Sequence, residues 1–274
     1  MGRPLSTQQG PKPTVYLASQ SPRRQELLTQ LDWDFELLLP QSLADLGNLS
    51  ELSELSALSA LSELSELSEL SAFAALPGFS RKRATLGETP LSPTKPQALT
   101  LSEALEDLER AQAGEGALAY VQRVTRLKFH LARRSARALG VAYRASSPIL
   151  CADTTVVLNG GILGKPRTPQ EAKTMLGALS GRTHRVYTSV VVGDLKTFDQ
   201  RLSRSWVTFA PLQARVLECY VQTEEWRGKA GGYAVQGLAA AFIEEIRGSY
   251  SGIMGLPLFE TAALLDDFVK RRKT

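Results

Sequence analysis

Asp153 follows the apolar run Ser147-Pro148-Ile149-Leu150-Cys151-Ala152 and precedes Thr154 and Thr155. A carboxylate in such a place is costly to bury without a task, and α/β proteins gather their ligands at strand ends. Two tasks fit: holding a divalent cation, or taking a proton from a water molecule. A hydrogen-bonded structural aspartate is the competing reading. Upstream, Leu17-Ala18-Ser19-Gln20-Ser21-Pro22-Arg23-Arg24 sets two arginines between a short apolar segment and a leucine-bearing run. With Ser21 as the cap and Pro22 as the first helical residue, both guanidinium groups fall in the first turn of a helix. If that turn faces a cleft, its free N–H groups, its dipole and two cations converge on a phosphate site. If it faces water, the arginines are a solvated helix start.

Two further segments have the right residue types. Gly164-Lys165-Pro166 mounts a lysine in a constrained turn, a suitable but unspecific phosphate contact. Gly228-Lys229-Ala230-Gly231-Gly232-Tyr233-Ala234-Val235-Gln236-Gly237 is too rich in glycine for a simple element. Glycine lets backbone approach a ligand closely, and the Gln236 amide offers a paired donor and acceptor to a base edge. A set of tight turns explains the same glycines equally well. Neither a P-loop nor a dinucleotide-binding glycine motif occurs between a strand and a helix. His130 and His184 are the only histidines, which disfavours a zinc site or a histidine-based triad.

The elements that must position these residues alternate in type. Strands are expected at 14–18, 35–39, 183–194 and 205–211, and on both sides of Asp153 at 147–152 and 155–158. Helices are expected from Pro22, over much of 101–139, and at 169–179, 211–226 and 256–271. That alternation is an α/β pattern. Between residues 49 and 72 the triplet Leu-Ser-Glu/Ala repeats eight times. A three-residue period makes the leucines drift about 60° per repeat round a helix, so they form no stripe and no coiled coil. The segment reads as a low-complexity insertion. Residues 1–13 read as a flexible tail, and 14–274 as one domain interrupted at about 41–116.

Composition narrows the class without choosing an activity. The 274 residues are 43% hydrophobic and 22% charged, ordinary values for a folded globular chain. The net charge of +4 suits an anionic ligand, but much of the excess lies in Arg81-Lys82-Arg83 and Lys270-Arg271-Arg272-Lys273, runs that read as solvated. Cys151 and Cys219 make no disulfide framework, fit a reducing compartment, and are expected as small buried hydrophobes. No apolar run reaches the ~20 residues of a membrane helix, and the first residues lack a signal-peptide core. A cytoplasmic protein with no membrane partner is the expectation.

Taken together and in order, LASQSPRRQELL, ADTTVVLNGGILGKP, LSGRTHRVYTSV, GKAGGYAVQG and GSYSGIMGLPL resemble the Maf family of nucleoside triphosphate pyrophosphatases. The resemblance covers roughly residues 14–39 and 119–265. It implies an α/β fold with a central mixed sheet, two lobes and a deep nucleotide cleft, often in a homodimer. It also implies hydrolysis of a nucleoside triphosphate between its α and β phosphates, with Mg²⁺ or Mn²⁺ as cofactor. By position, Asp153 matches the catalytic aspartate and a metal ligand; Ser19, Arg23, Arg24, Lys128 and Lys165 match the phosphate-handling groups. Arg23, Thr154 and Gln236 match the positions that separate a dTTP/UTP branch from a 7-methyl-GTP branch, and resemble the former. The family's acidic pair after the second strand is replaced here by the Leu-Ser-Glu repeat. Glu88, in Gly87-Glu88-Thr89-Pro90-Leu91, is the candidate for its metal-binding acid.

The expected function is therefore a hydrolase of acid anhydrides, a dTTP/UTP pyrophosphatase. A catalytically weak interaction protein of cell division on the same fold is the alternative. A nucleic-acid binder using the basic tail lacks a recognisable helix-turn-helix and is not expected.

Overall fold

The computed structural model describes residues 12–40, 105–106 and 108–272. The Leu-Ser-Glu repeat and Glu88 lie outside them. In chain order the strands are β1 (Val15–Leu17), β2 (Phe35–Leu37), β3 (Ile149–Leu158), β4 (Gly161–Leu163), β5 (Thr183–Gly193), β6 (Phe198–Phe209) and β7 (Ile243–Arg247). The helices are α1 (Pro22–Gln30), α2 (Ala117–Ala138), α3 (Pro169–Leu179), α4 (Ala214–Gln222), α5 (Tyr250–Met254) and α6 (Leu258–Arg271), with short 3₁₀ turns at Ala230–Gly232 and Leu238–Phe242. Among the described residues the strands form one mixed sheet in the order β2-β1-β3-β5-β6-β7, with β4 paired to β3. β1 runs parallel to β2 and β3, and every other pairing is antiparallel.

Alternation along β3 and β5 assigns the two faces of this sheet. Leu150 and Ala152 of β3, with Val190 and Val192 of β5, pack against Leu27 and Leu28 of α1 and against Leu264, Leu265 and Phe268 of α6. On α6, Thr261, Leu264, Leu265 and Phe268 follow the i, i+3, i+4, i+7 spacing of a helix with one buried stripe. Ile149, Cys151 and Val191 point the other way, onto Phe129, Ala132 and Ala136 of α2. A third core gathers Phe209, Trp226, Tyr233 and Phe242 with α3 and α4. Period two therefore settles where the site residues face. Asp153 shares its parity with Cys151 and faces α2, whereas Thr154 shares its parity with Ala152 and faces the α5 side.

Several expectations change. Asp153 lies inside one unbroken ten-residue strand, not between two strand segments. Its ladder to β5 continues through Asp153↔Ser189 and Thr154↔Thr188, so a polar triplet does not interrupt the pairing. β6 begins at Phe198, well before 205, because β5 pairs with it along its whole length and stabilises a polar stretch that has little strand signature. The edge strand β7 was not expected in the glycine-punctuated segment. α4 is shorter than 211–226, ending before Glu224, whose φ of 59° leaves the helical region. α2 starts only after Gly114, at φ 79°, and Gly116, although Leu105, Glu106, Leu108 and Glu109 are also helical. Cys151 is buried as expected, but Cys219 is exposed on α4.

Candidate active site

Every described residue singled out in the sequence lines one cleft of about 780 Å³: Ser19, Arg23, Arg24, Lys128, Asp153, Thr154, Lys165 and Gln236. Glu88 lies outside the described residues.

The first wall, where phosphate binding was expected, starts where β1 gives way to α1. Pro22 is the first helical residue, but Ser21 makes no capping hydrogen bond with its side chain. Ser19 does the local work instead: its Oγ accepts from the Ser21 N–H at 3.2 Å and from Arg24 Nη1 at 3.1 Å. Arg24 Nε donates to the Gly255 carbonyl at 2.8 Å. Gly255 has φ 128°, a conformation that favours glycine, and this brings its carbonyl to the arginine. Arg24 is thus held by the first strand–helix turn and by the residue that ends α5. Burial is the main influence on its pKa and lowers it; Asp153 opposes that shift and Arg23 adds to it. Arg23 is also desolvated, with Glu26 the opposing charge, and its buried Nε has no hydrogen-bond partner among the described residues. A buried guanidinium N–H left unpaired at a helix start is a donor awaiting an anion.

The acidic centre is set by α2 and β3. Lys128 continues the sheet-facing series Val121, Val124, Lys128, Leu131, so its side chain reaches the β3 face that carries Asp153. Its Nζ lies 2.6 Å from Asp153 Oδ1 and 3.2 Å from Glu109 Oε1. Burial works against the ammonium, but Asp153 and Glu109 outweigh it and raise its pKa. Asp153 Oδ2 makes no hydrogen bond among the described residues and is left for a ligand or water. Glu109 was not singled out in the sequence, and it falls within the stretch read as an insertion. The signal that could have found it is the acidic Glu103-Ala104-Leu105-Glu106-Asp107-Leu108-Glu109 run ahead of the α2 pattern. Nearby, Glu115 forms a bidentate ion pair with Arg123, both largely buried, and joins the start of α2 to the fold. Among the described residues no group of three or more His, Cys, Asp or Glu could hold a metal ion. Two carboxylates do converge on one positive charge at Lys128, and an oxygen donor pair of this kind fits a hard divalent cation.

The opposite wall is irregular backbone. Lys165 is exposed in a turn whose Gly164 carbonyl accepts from the Gly231 N–H at 2.9 Å, so the two glycine-containing segments brace each other. Thr154 Oγ1 lies 3.0 Å from Thr188 Oγ1, which is 2.7 Å from the Gly252 carbonyl. Gln236 is exposed in the cleft beside Glu225 and Lys229, neither of which was singled out as a site residue. Burial lowers the Lys229 pKa, Arg23 adds to the effect and Glu225 opposes it, so this lysine answers to both walls. Beneath it, Tyr233 Oη and His184 Nε2 are 2.7 Å apart in a buried aromatic cluster, and burial holds the His184 pKa at about 4.

The family of Maf-like proteins matches residues 80–268 of the chain. A dTTP/UTP pyrophosphatase of Burkholderia lata is 42% identical over 264 residues, covering 96% of each chain. One from Cupriavidus metallidurans is 43% identical over 253 residues, 92% of this chain and 94% of the relative. Another, from a Polaromonas species, is 53% identical over 163 residues, 60% of this chain and 79% of its own.

Proposed function

The chain belongs to the Maf family, and from that premise we propose that its cleft hydrolyses dTTP and UTP to the nucleoside monophosphate and pyrophosphate. The observation that carries the proposal is the pairing, across one cleft, of a buried unpartnered Arg23 Nε with the Asp153–Lys128–Glu109 cluster. Phosphate oxygens would satisfy the first, and a water molecule would meet the second.

In the mechanism, Ser19, Arg23 and Arg24 bind the triphosphate at the start of α1, where the N–H groups and both guanidinium groups oppose its charge. Asp153 Oδ2 takes a proton from the attacking water while Lys128 holds Oδ1 and fixes the carboxylate. The water oxygen bonds to phosphorus as the bond between the α and β phosphates breaks, and the pyrophosphate departs with that bond's electrons. Arg23 and Lys165 stabilise its negative charge. Asp153 and Glu109 would hold Mg²⁺ or Mn²⁺, which supplies further neutralisation of the phosphoryl oxygens when bound. Arg23, Thr154 and Gln236 line the part of the cleft where a pyrimidine would be read, and the Gln236 amide matches a carbonyl and N–H edge.

We also assign 14–274 to a single domain, and end the insertion expected at about 41–116 before Glu109, since Glu109 and Glu115 engage α2. A homodimer, a cytoplasmic location and the lack of a nucleic-acid partner are further parts of the proposal. No helix among the described residues is long and apolar enough to cross a membrane.

The test is pyrophosphate release from dTTP, UTP, CTP, GTP and 7-methyl-GTP with Mg²⁺ or Mn²⁺, for the wild type and Asp153→Asn. Turnover of dTTP and UTP that disappears in the variant is expected. No release by the wild type from any nucleotide would sink the proposal.

A further inference from the structure

We infer that Glu225 is a positioning residue for base recognition, holding in place the backbone that presents Gln236; the inference rests on the nucleotide reading of the cleft. Gln236 is exposed and makes no side-chain hydrogen bond among the described residues, so the direction of its amide is set by the chain on either side. On the N-terminal side that chain is anchored by burial of Tyr233, Ala234 and Val235. On the C-terminal side the two residues next to it have no apolar anchor of their own, since Gly237 is only half-buried and Leu238 is 60% exposed, and burial resumes at Ala239.

Glu225 supplies the missing anchor. Its Oε2 accepts from the Leu238 N–H at 2.8 Å, and its Oε1 accepts from the Ala239 N–H at 3.3 Å and from Tyr220 Oη at 3.0 Å. The carboxylate also lies flat against Gly237, where a Cβ would stand 2.4 Å from Glu225 Oε2. A side chain at 237 would have to push the carboxylate aside, so the glycine directly after Gln236 leaves room for it. Glu225 is in turn fixed from behind. Its N–H donates to Thr223 Oγ1 at 3.2 Å, and the next residue, Trp226, is buried with its Nε1 on the Val221 carbonyl at 2.8 Å. Rigidity thus passes from the Trp226 core through Glu225 to Gly237 and Leu238, and so to Gln236. None of these contacts reaches Ser19, Arg24, Asp153 or Lys128. A defect at Glu225 should therefore loosen recognition of the base while sparing recognition of the phosphates.

Dissociation constants for dTMP, CMP and inorganic tripolyphosphate, measured by calorimetry for the wild type, Glu225→Ala, Glu225→Asp and Gly237→Ala, separate those effects. Glu225→Ala is expected to cut the preference for dTMP over CMP about tenfold, with tripolyphosphate affinity held within about twofold. Glu225→Asp should recover part of the preference. Gly237→Ala, which displaces the carboxylate from the other side, should reproduce the loss, and the double variant Glu225→Ala/Gly237→Ala should add little to it. A preference unchanged in both single variants would overturn the inference, as would an equal loss of tripolyphosphate affinity or a wild type that binds dTMP no better than CMP. Pyrophosphate release from dTTP by the wild type is a separate arm, since its absence would remove the hydrolase while the binding ratio still judged Glu225.

Discussion

The two walls of the cleft are built on different principles. The phosphate wall stands on regular elements: Arg23 and Arg24 on the first turn of α1, Lys128 on the sheet-facing stripe of α2, and Asp153 in the middle of β3. The opposite wall, from Lys165 to Gln236, is glycine-rich backbone held by a few hydrogen bonds and by Glu225. Groups that must meet a reacting phosphorus gain from the fixed geometry of helices and strands. Of the residues proposed to read the base, Gln236 sits on backbone that can vary without disturbing the sheet, whereas Arg23 and Thr154 stand on α1 and β3. Charge does not divide the walls in the same way: the acidic centre lies with both arginines, and Lys165, Glu225 and Lys229 put charge on the opposite wall too.

The hardest test of this division is Asp153→Asn. The substitution keeps the shape and removes the proton acceptor, so turnover should fall by at least about a hundredfold, with unchanged discrimination among nucleotides in inhibition assays using the monophosphates. A discrimination that collapsed together with turnover would mean that the walls are not separable. Next in size is Lys128→Met. It leaves Asp153 and Glu109 facing each other without their shared cation, and like charges so placed disfavour each other. Turnover should fall about tenfold to a hundredfold, and the melting temperature should fall in low salt more than in high salt. Arg23→Ala has the smallest effect of the three on turnover and the most diagnostic sign. It removes a desolvated cation whose Nε has no partner, so the free protein should melt at the same or a higher temperature while KM rises about tenfold. A lower melting temperature would show that Arg23 serves the fold.

The phosphate wall was the more legible of the two in the sequence, for a physical reason. Ser-Pro-Arg-Arg after an apolar segment, and an aspartate within a buried run, are local patterns that the periods of helix and strand turn into directions. For Asp153 that direction was not legible in the sequence: read as lying between two strand segments, it acquires its parity with Cys151, and so its aim at α2, only in the unbroken β3. What could not be read was partnership across distance. Glu109 is 44 residues from Asp153 in the chain, and only the packing of α2 on β3 brings both to Lys128. β6 and β7 were obscured because their polar residues become strand through pairing with neighbours. Ser21 has the right type for a cap, yet Ser19 takes the hydrogen bonds, since the chain leaving β1 turns the earlier side chain toward the N–H groups. Glu225 was hidden more deeply than Glu109, which at least belongs to an acidic run: nothing local distinguishes Glu225 from a surface acid.

The finest test concerns the support beneath the base wall and leaves the phosphate wall untouched. His184 is buried among Phe209 and Tyr233, bonded through Nε2 to Tyr233 Oη, while its Nδ1 has no partner among the described residues. Burial lowers its pKa to about 4 from the ordinary 6.5, so the folded state keeps the ring neutral through a range where the unfolded chain protonates it. Below pH 6.5 the unfolded state then binds the extra proton, and stability falls as pH drops toward 4, where the folded ring also begins to titrate. The full loss from this group is ~3 kcal/mol. His184→Phe removes that dependence, at the cost of leaving Tyr233 Oη without its partner. Denaturant unfolding of both proteins from pH 7 to pH 4 should therefore show the variant less stable at pH 7, with the gap narrowing or reversing toward pH 4. KM for dTTP should shift no more than about threefold, the scale of a lost hydrogen bond beneath a wall whose outer face is fixed by Glu225. A constant gap across the pH range would mean that His184 is protonated equally in the folded and unfolded states, and a gap that widens toward pH 4 that the folded ring holds its proton more tightly.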